Sequence, residues 1–154
     1  MHLNLKQKNS LGLLSITIGI VYLWFGLLKF VPGLSPAEGL ATETIRLLTF
    51  GILGPSLSMK LLALWETTLG VMLVAGFFRR LVIPLALTHI ALTFTPMLFF
   101  PDQVFSNNPF YLTLLGQYIA KNIIIVGALI IIWQEYRTNK SAGVTARVNQ
   151  KVRS

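Results

Sequence analysis

Four apolar stretches, each about twenty residues long, restrict this chain to a narrow set of folds. They lie at about 11–31, 61–78, 81–100 and 111–133. A helix needs roughly 20 residues to cross the ~30 Å hydrocarbon core of a bilayer. In lipid, each backbone N–H and C=O must pair within its own segment, so stretches of this kind span as helices. The expected fold is therefore all-α, an integral membrane bundle of four transmembrane helices. The turn "GFFRRLV" is too short to separate domains and makes the second and third helices an antiparallel hairpin. Composition agrees. The 154 residues are 54% hydrophobic and 12% charged, where a soluble domain carries roughly a quarter charged residues. One domain is expected over 1–136, followed by a basic, disordered tail over 137–154.

The net charge of +8 would suit a nucleic-acid binder, but its placement argues for a membrane and against nucleic acid. Lys6 and Lys8 precede the first apolar stretch, Arg79 and Arg80 sit in the short turn, and Arg137, Lys140, Arg147, Lys151 and Arg153 follow the fourth. The connection "FPDQVFSNNPF" has no basic residue. By the positive-inside rule, both termini and the 79–80 turn are expected in the cytoplasm, with the other two connections outside. Lys6, Lys8 and the following apolar run also fit a signal peptide. The run is long, however, and "VPGLSPAEG" offers no A-x-A-like site, which favours an uncleaved helix. The first outer connection reads as structured. Ser35, Pro36 and Glu38 fit N-cap, N1 and N3 of a helix. "TETIRLLTFGIL" then continues with apolar residues at helical spacing, giving a short amphipathic helix over about 35–50 at the interface or folded over the bundle. The basic tail would attract anionic lipid. There is no cysteine, which excludes disulfides, thiolate metal sites and cysteine nucleophiles.

Ionisable groups inside a membrane are costly, at about 2.5–3.5 kcal/mol each on insertion scales, and mark functional positions. The apolar stretches hold four: Lys29, Glu66, His89 and Lys121. At ~1.5 Å per residue, Lys29 lies near the outer end of its helix, Glu66 about 8–10 Å below the outer end and Lys121 about 15 Å below it. Three of the four can meet in the outer half of a bundle, with His89 at the floor. Lys29 either snorkels to the outer interface or is drawn inward by Glu66. Glu66 is too deep to snorkel and must be partnered or protonated. Lys121 shares its face with Gln117, one turn above. His89 reads as a hydrogen-bonded core histidine or as a proton carrier or ligand. With no cysteine and few carboxylates, it makes a poor metal site, and no metal is expected.

Small residues indicate which faces turn inward. Gly12, Gly19 and Gly26, with Ser15 between them, form a smooth stripe, while Ala63 and Gly70 flank Glu66. Close helix approach beside each charge favours enclosure, although small residues also serve ordinary helix packing. Pro96 frees the carbonyl of Leu92 and should kink the third helix beside the polar region. Trp24, Trp65, Tyr111 and Tyr118 fit interface anchors or packing. Two lysines against one glutamate leave the cluster electron-poor. Either one lysine is neutral, or the site expects a quinone carbonyl, a phenolate or a small anion.

Phosphate loops, HExxH, a Ser-His-Asp set, paired carboxylates and a second helical histidine for haem are all missing from the sequence, which argues against an autonomous hydrolase. "YLWFGLLKFVPGLSPAEGL" resembles the first-helix signature of the DoxX-like membrane proteins, including DoxD-like relatives and the membrane protein of the bacterial reactive-chlorine resistance system. "LLALWETTLGVMLVAGFFRR" resembles that family's second helix, and "GQYIAKNIIIVGALIII" its fourth. The resemblance implies a four-helix protein of the bacterial inner membrane. It also implies a link to quinone-dependent oxidoreductases, redox maturation or oxidative-stress defence, as an accessory subunit rather than an independent enzyme. It places the family's polar positions on Lys29, Glu66, Lys121 and Asn122. Taken together, the expected ligand-facing set is Lys29, Glu66, His89, Gln117, Tyr118, Lys121 and Asn122. The sequence leaves the cofactor open, with quinone as a candidate, and the candidate partners besides the lipid bilayer are a membrane or periplasmic redox subunit and a second copy of the chain. Two other readings stay open: a membrane scaffold whose polar cluster fixes helix register, and a small proton or anion transporter.

Overall fold

The computed structural model describes residues 5–106 and 111–153, with side chains at 9–106 and 111–138. Among the described residues eight helices follow one another: α1 (Leu5–Leu28), α2 (Glu38–Leu48), α3 (Pro55–Ala75), α4 (Arg79–Thr93), α5 (Pro96–Phe99), α6 (Pro101–Val104), α7 (Leu114–Ala120) and α8 (Asn122–Arg153). Among the described residues the extended structure is a single antiparallel bridge, Phe105 to Leu112. Four helical stretches are long and apolar enough to cross a membrane: Asn9–Leu28, Pro55–Ala75, Arg79–Phe99 and Leu114–Thr138. They match the four apolar stretches of the sequence and suggest a multi-pass membrane protein. Their outward faces are apolar, with Trp24 67% and Ile124 77% exposed.

The third stretch is interrupted at Pro96, where a kink is expected, but Phe94 and Thr95 keep right-handed helical angles and the span runs on to Phe99. Pro96 cannot donate to the Leu92 carbonyl, so α4 ends at Thr93 and α5 restarts at Pro96. The freed carbonyl is satisfied by Thr95, which donates from both its backbone N, at 3.1 Å, and its hydroxyl, at 2.7 Å. The fourth stretch is interrupted only formally. Lys121 keeps helical angles (φ −57°, ψ −23°), accepts from Ile124 N at 3.1 Å and donates to Gln117 O at 3.1 Å. Beyond it, the backbone of α8 runs on to Arg153, where the composition suggests a disordered tail. The reason is cooperative. Extending a formed helix adds one bond per residue without a new nucleus, and 137–153 contains no proline to stop it.

The start of α2 also differs from expectation. Ser35 does not cap it; the preceding turn closes through Glu38 N to Ser35 O at 3.1 Å, and the helix begins at Glu38 with no side-chain cap bond at Ala37. Glu38 does reach back, as a capping-box carboxylate would, but it accepts from Gly33 N at 2.7 Å. Gly33 and Gly51, at φ 80° and 79°, supply the left-handed turns on either side of α2 that glycine tolerates best.

The closest packing is between α1 and α3. A Cβ on Gly19 would lie 2.8 Å from Gly70 O, one on Gly70 2.7 Å from Leu23 N, and one on Gly26 2.8 Å from Thr67 N. Ser15 adds a hydroxyl bond to Leu73 O at 2.9 Å. Gly12, by contrast, faces open space with nothing within 4 Å, so the tight stripe covers Gly19 and Gly26 alone. The main core joins α1, α3, α4 and α8 through Ile18, Leu69, Leu73, Ile83, Ala86, Leu129 and Ile132. A second cluster at the α2 end joins Leu40, Val104 and Ile119.

Candidate functional site

Tyr22 and Phe25 on α1 and Lys29 in the turn that closes it, where Lys29 N donates to Gly26 O at 3.2 Å, fall at i, i+3 and i+7 and share one face. The contact at Gly26 brings that face against α3 beside Glu66, since a Cβ on Gly26 would lie 3.1 Å from Glu66 Cβ. Lys29 Nζ donates to Glu66 Oε2 at 2.6 Å, and both side chains are only 9% exposed. Lys29 Nζ also donates to Phe25 O at 3.3 Å. This answers the choice between snorkelling and pairing: Lys29 is drawn inward.

The other oxygen of the same carboxylate faces α4. His89 Nε2 lies 3.4 Å from Glu66 Oε1, at ion-pair distance but without hydrogen-bond alignment. His89 Nδ1 lies 3.2 Å from Tyr22 Oη, and the Tyr22 hydroxyl donates to Ala86 O at 3.2 Å. The result is an unbroken buried row, Lys29–Glu66–His89–Tyr22, contributed by three helices. A buried ion pair is tolerated when further polar contacts satisfy its remaining atoms, and here each member touches the next.

Above this row lies a cavity of about 270 Å³, near the lower end of the roughly 300–1,000 Å³ typical of small-molecule sites. Its floor is the polar row. Its roof is α2, through Leu40, Ala41, Thr44, Ile45 and Leu48, together with Ser35–Ala37 before it. Its remaining walls are mostly apolar and come from α1, α4, α7 and α8, with Ile90, Ile119 and Ile125 among them. The amphipathic α2 thus folds back over the bundle.

Lys121 lines this cavity but is exposed and does not join the row. Its ammonium lies 4.1 Å from the ring centroid of Tyr118 and 4.4 Å from that of Phe25, within the ~6 Å range of cation–π attraction. Those two rings meet edge to face at 6.3 Å. All five acidic residues lie among the described side chains, and none stands within 4 Å of Lys121 as Glu66 does of Lys29. The expected three-membered charge cluster is therefore a pair, Lys29 and Glu66, with Lys121 at the rim.

The other sequence candidates divide. Tyr118 and Asn122 line the cavity; Asn122 Nδ2 donates to Thr93 Oγ1 at 3.2 Å. Gln117 is outside it. The register that places Lys121 and Tyr118 at the cavity turns Gln117 away, exposed and donating to Leu112 O at 3.3 Å. Tyr22 and Phe25 were not singled out by sequence, although their spacing from Lys29 on one helix face was available as a signal. No group of three or more His, Cys, Asp or Glu side chains that could hold a metal occurs among the described residues.

No protein-family model, curated protein or solved structure matches this chain.

Chemically, the arrangement offers hydrogen-bond donors at two heights. Lys29 stands at the floor and Lys121 at the rim, with an apolar volume between; the Tyr22 hydroxyl is committed to Ala86 O. The one carboxylate, Glu66, is engaged by Lys29 and faced by His89.

Proposed function

We propose that this chain is a four-span protein of the bacterial inner membrane, with cytoplasmic termini, that binds a small hydrophobic molecule with an electron-rich head between its helices. On this reading it serves a redox-linked membrane system as an accessory subunit, and a quinone is the leading occupant. The resemblance of its first, second and fourth spans to DoxX-like proteins supports that setting and rests on the motifs themselves. One observation carries the binding function: an apolar cavity of about 270 Å³ ends on the buried row Lys29–Glu66–His89–Tyr22. Burying ionisable groups from three helices is costly in any fold. Placing them at the floor of a volume the size of a small ring system gives that cost a use.

A second reading draws on the same row. Its members pair with one another without a ligand, His89 Nε2 excepted, as a register-fixing device in a scaffold protein would. The two readings part on one experiment. The protein is purified from native membrane in mild detergent, and the extracted small molecules are identified by mass spectrometry, alongside an Ala41→Trp variant that fills the cavity from α2. A stoichiometric quinone or similar molecule present in the wild type and lost in Ala41→Trp is the expected result. Phospholipid alone, equal in both, would leave the scaffold.

A further inference from the structure

The charged side chains around the cavity do not balance. Lys29 and Lys121 are cations, Glu66 is the only anion, and all three line it. Glu66 is spoken for at 2.6 Å by Lys29, so the surplus positive charge resides on Lys121. Two aromatic faces hold that ammonium at the rim, at 4.1 and 4.4 Å. Rings leave its N–H donors unfilled. Among the described residues, Lys121 Nζ has no side-chain hydrogen bond or ion pair: Asn122 directs its amide nitrogen to Thr93 at 3.2 Å, Gln117 directs its own to Leu112 at 3.3 Å, and Glu66 is held by Lys29.

A neutral occupant would give this rim cation no counter-charge. Hydrogen bonds between an ammonium and an anion are about twice as strong as those between neutral groups, and low-dielectric walls strengthen them further. We infer that the cavity takes a monoanionic amphiphile, with its anionic head on Lys121 Nζ and its apolar body between α2 and the Ile90–Ile125 wall. This rests on the binding function proposed above and narrows its ligand class. A planar enolate or phenolate, a carboxylate or an anionic lipid headgroup shares the required chemistry. A neutral ring of the same size does not.

The test uses full-length protein in nanodiscs of zwitterionic phosphatidylcholine. Two probes of one shape are titrated by calorimetry: a 2-hydroxy-3-alkyl-1,4-naphthoquinone, an enolate at neutral pH, and its neutral O-methyl ether. The enolate is expected to bind at least about tenfold more tightly. Lys121→Met should erase that preference, and Lys121→Arg should retain it. Adding phosphatidylglycerol to the discs separates the sources of the anion. Competition with the enolate would identify a lipid headgroup as the natural occupant, and no competition a free amphiphile; either agrees with an anionic site. Equal affinities for the two probes, or a preference that survives Lys121→Met, would overturn the inference and leave the cavity as a neutral-ligand site. Failure of both probes to bind the wild type would overturn the binding function and the inference together.

Discussion

Lys29, in the turn that closes α1, and Glu66 of α3 meet at 2.6 Å between their ammonium and carboxylate, beside the contact where Gly26 brings the two backbones together. The charge pair and the glycine depend on each other. Without the glycine the helices could not approach closely enough, and without the pair each charge would be buried alone. Glu66 therefore organises the interior of this fold as well as the floor of its cavity.

Breaking one side of a buried pair typically costs about 3–5 kcal/mol, because the partner is left uncompensated. Glu66→Gln should destabilise the protein on that scale, losing the charge partner of Lys29 and the acceptor facing His89. Lys29→Met in the same chain should recover part of the loss. A double-mutant cycle on thermal stability in detergent measures this, with coupling of about 0.5–3 kcal/mol expected. Strict additivity would contradict the pairing.

The glycines of α1 give a contrast within one helix. Gly19→Val would drive a side chain into Gly70 O, already 2.8 Å from a bare Cβ, whereas Gly12 has nothing within 4 Å. Overpacking of this kind typically costs about 1–3 kcal/mol. Gly19→Val should lower thermal stability by an amount in that range or more. Gly12→Ala should be neutral or slightly stabilising, since alanine is the better helix former.

The helices were legible from sequence because length and apolarity decide them, and a twenty-residue apolar run has few alternatives. The Lys29–Glu66 contact was legible for a related reason: depth along a helix follows from counting residues, and charges at similar depth have cause to meet. What counting cannot supply is where along a helix the cavity stops. Gln117 and Lys121 share a helix face, yet only Lys121 reaches the cavity, because the boundary of the site falls between successive turns. Tyr22 and Phe25 escaped notice for the opposite reason. Aromatic residues are ordinary in such a helix, and only the position of α4 beside α1 reveals that Tyr22 holds His89. The course of 137–153 was missed because composition describes a segment in isolation, whereas a helix already formed upstream can continue through it.

Tyr22 offers a test of the floor that leaves the ion pair untouched. Its hydroxyl links His89 Nδ1 to Ala86 O, each at 3.2 Å. Tyr22→Phe keeps the ring and removes only that oxygen, leaving the buried His89 Nδ1 without its partner, at about 1–3 kcal/mol; Ala86 O keeps its place in the α4 helix. The expected outcome is a lower melting temperature with unchanged helix content by circular dichroism. An unchanged melting temperature would mean the row ends at His89.

Among the described side chains, the core contacts of α8 lie ahead of its basic segment. Leu129 and Ile132 belong to the core, and Trp133 stacks on Tyr136 with centroids 6.0 Å apart. A chain stopped after Thr138 should therefore keep its melting temperature in detergent, within the ~0.5 kcal/mol typical of changes away from packed features. A marked loss would place stabilising contacts in 139–154.

Orientation in the membrane can be tested directly because the chain has no cysteine. Gly39 on α2 and Arg80 at the start of α4 are both exposed, and they lie at opposite ends of the span Pro55–Ala75. Leu40, by comparison, is 4% exposed and would report burial rather than sidedness. The basic residues at 79–80 and in the terminal segments predict that Arg80 faces the cytoplasm and Gly39 the outside. Gly39→Cys in intact spheroplasts should react with a membrane-impermeant maleimide. Arg80→Cys should react only after the membrane is opened. The reverse pattern would invert the topology and place the cavity, roofed by α2, at the cytoplasmic face. Equal labelling of both sites before and after opening would argue against membrane insertion of α3.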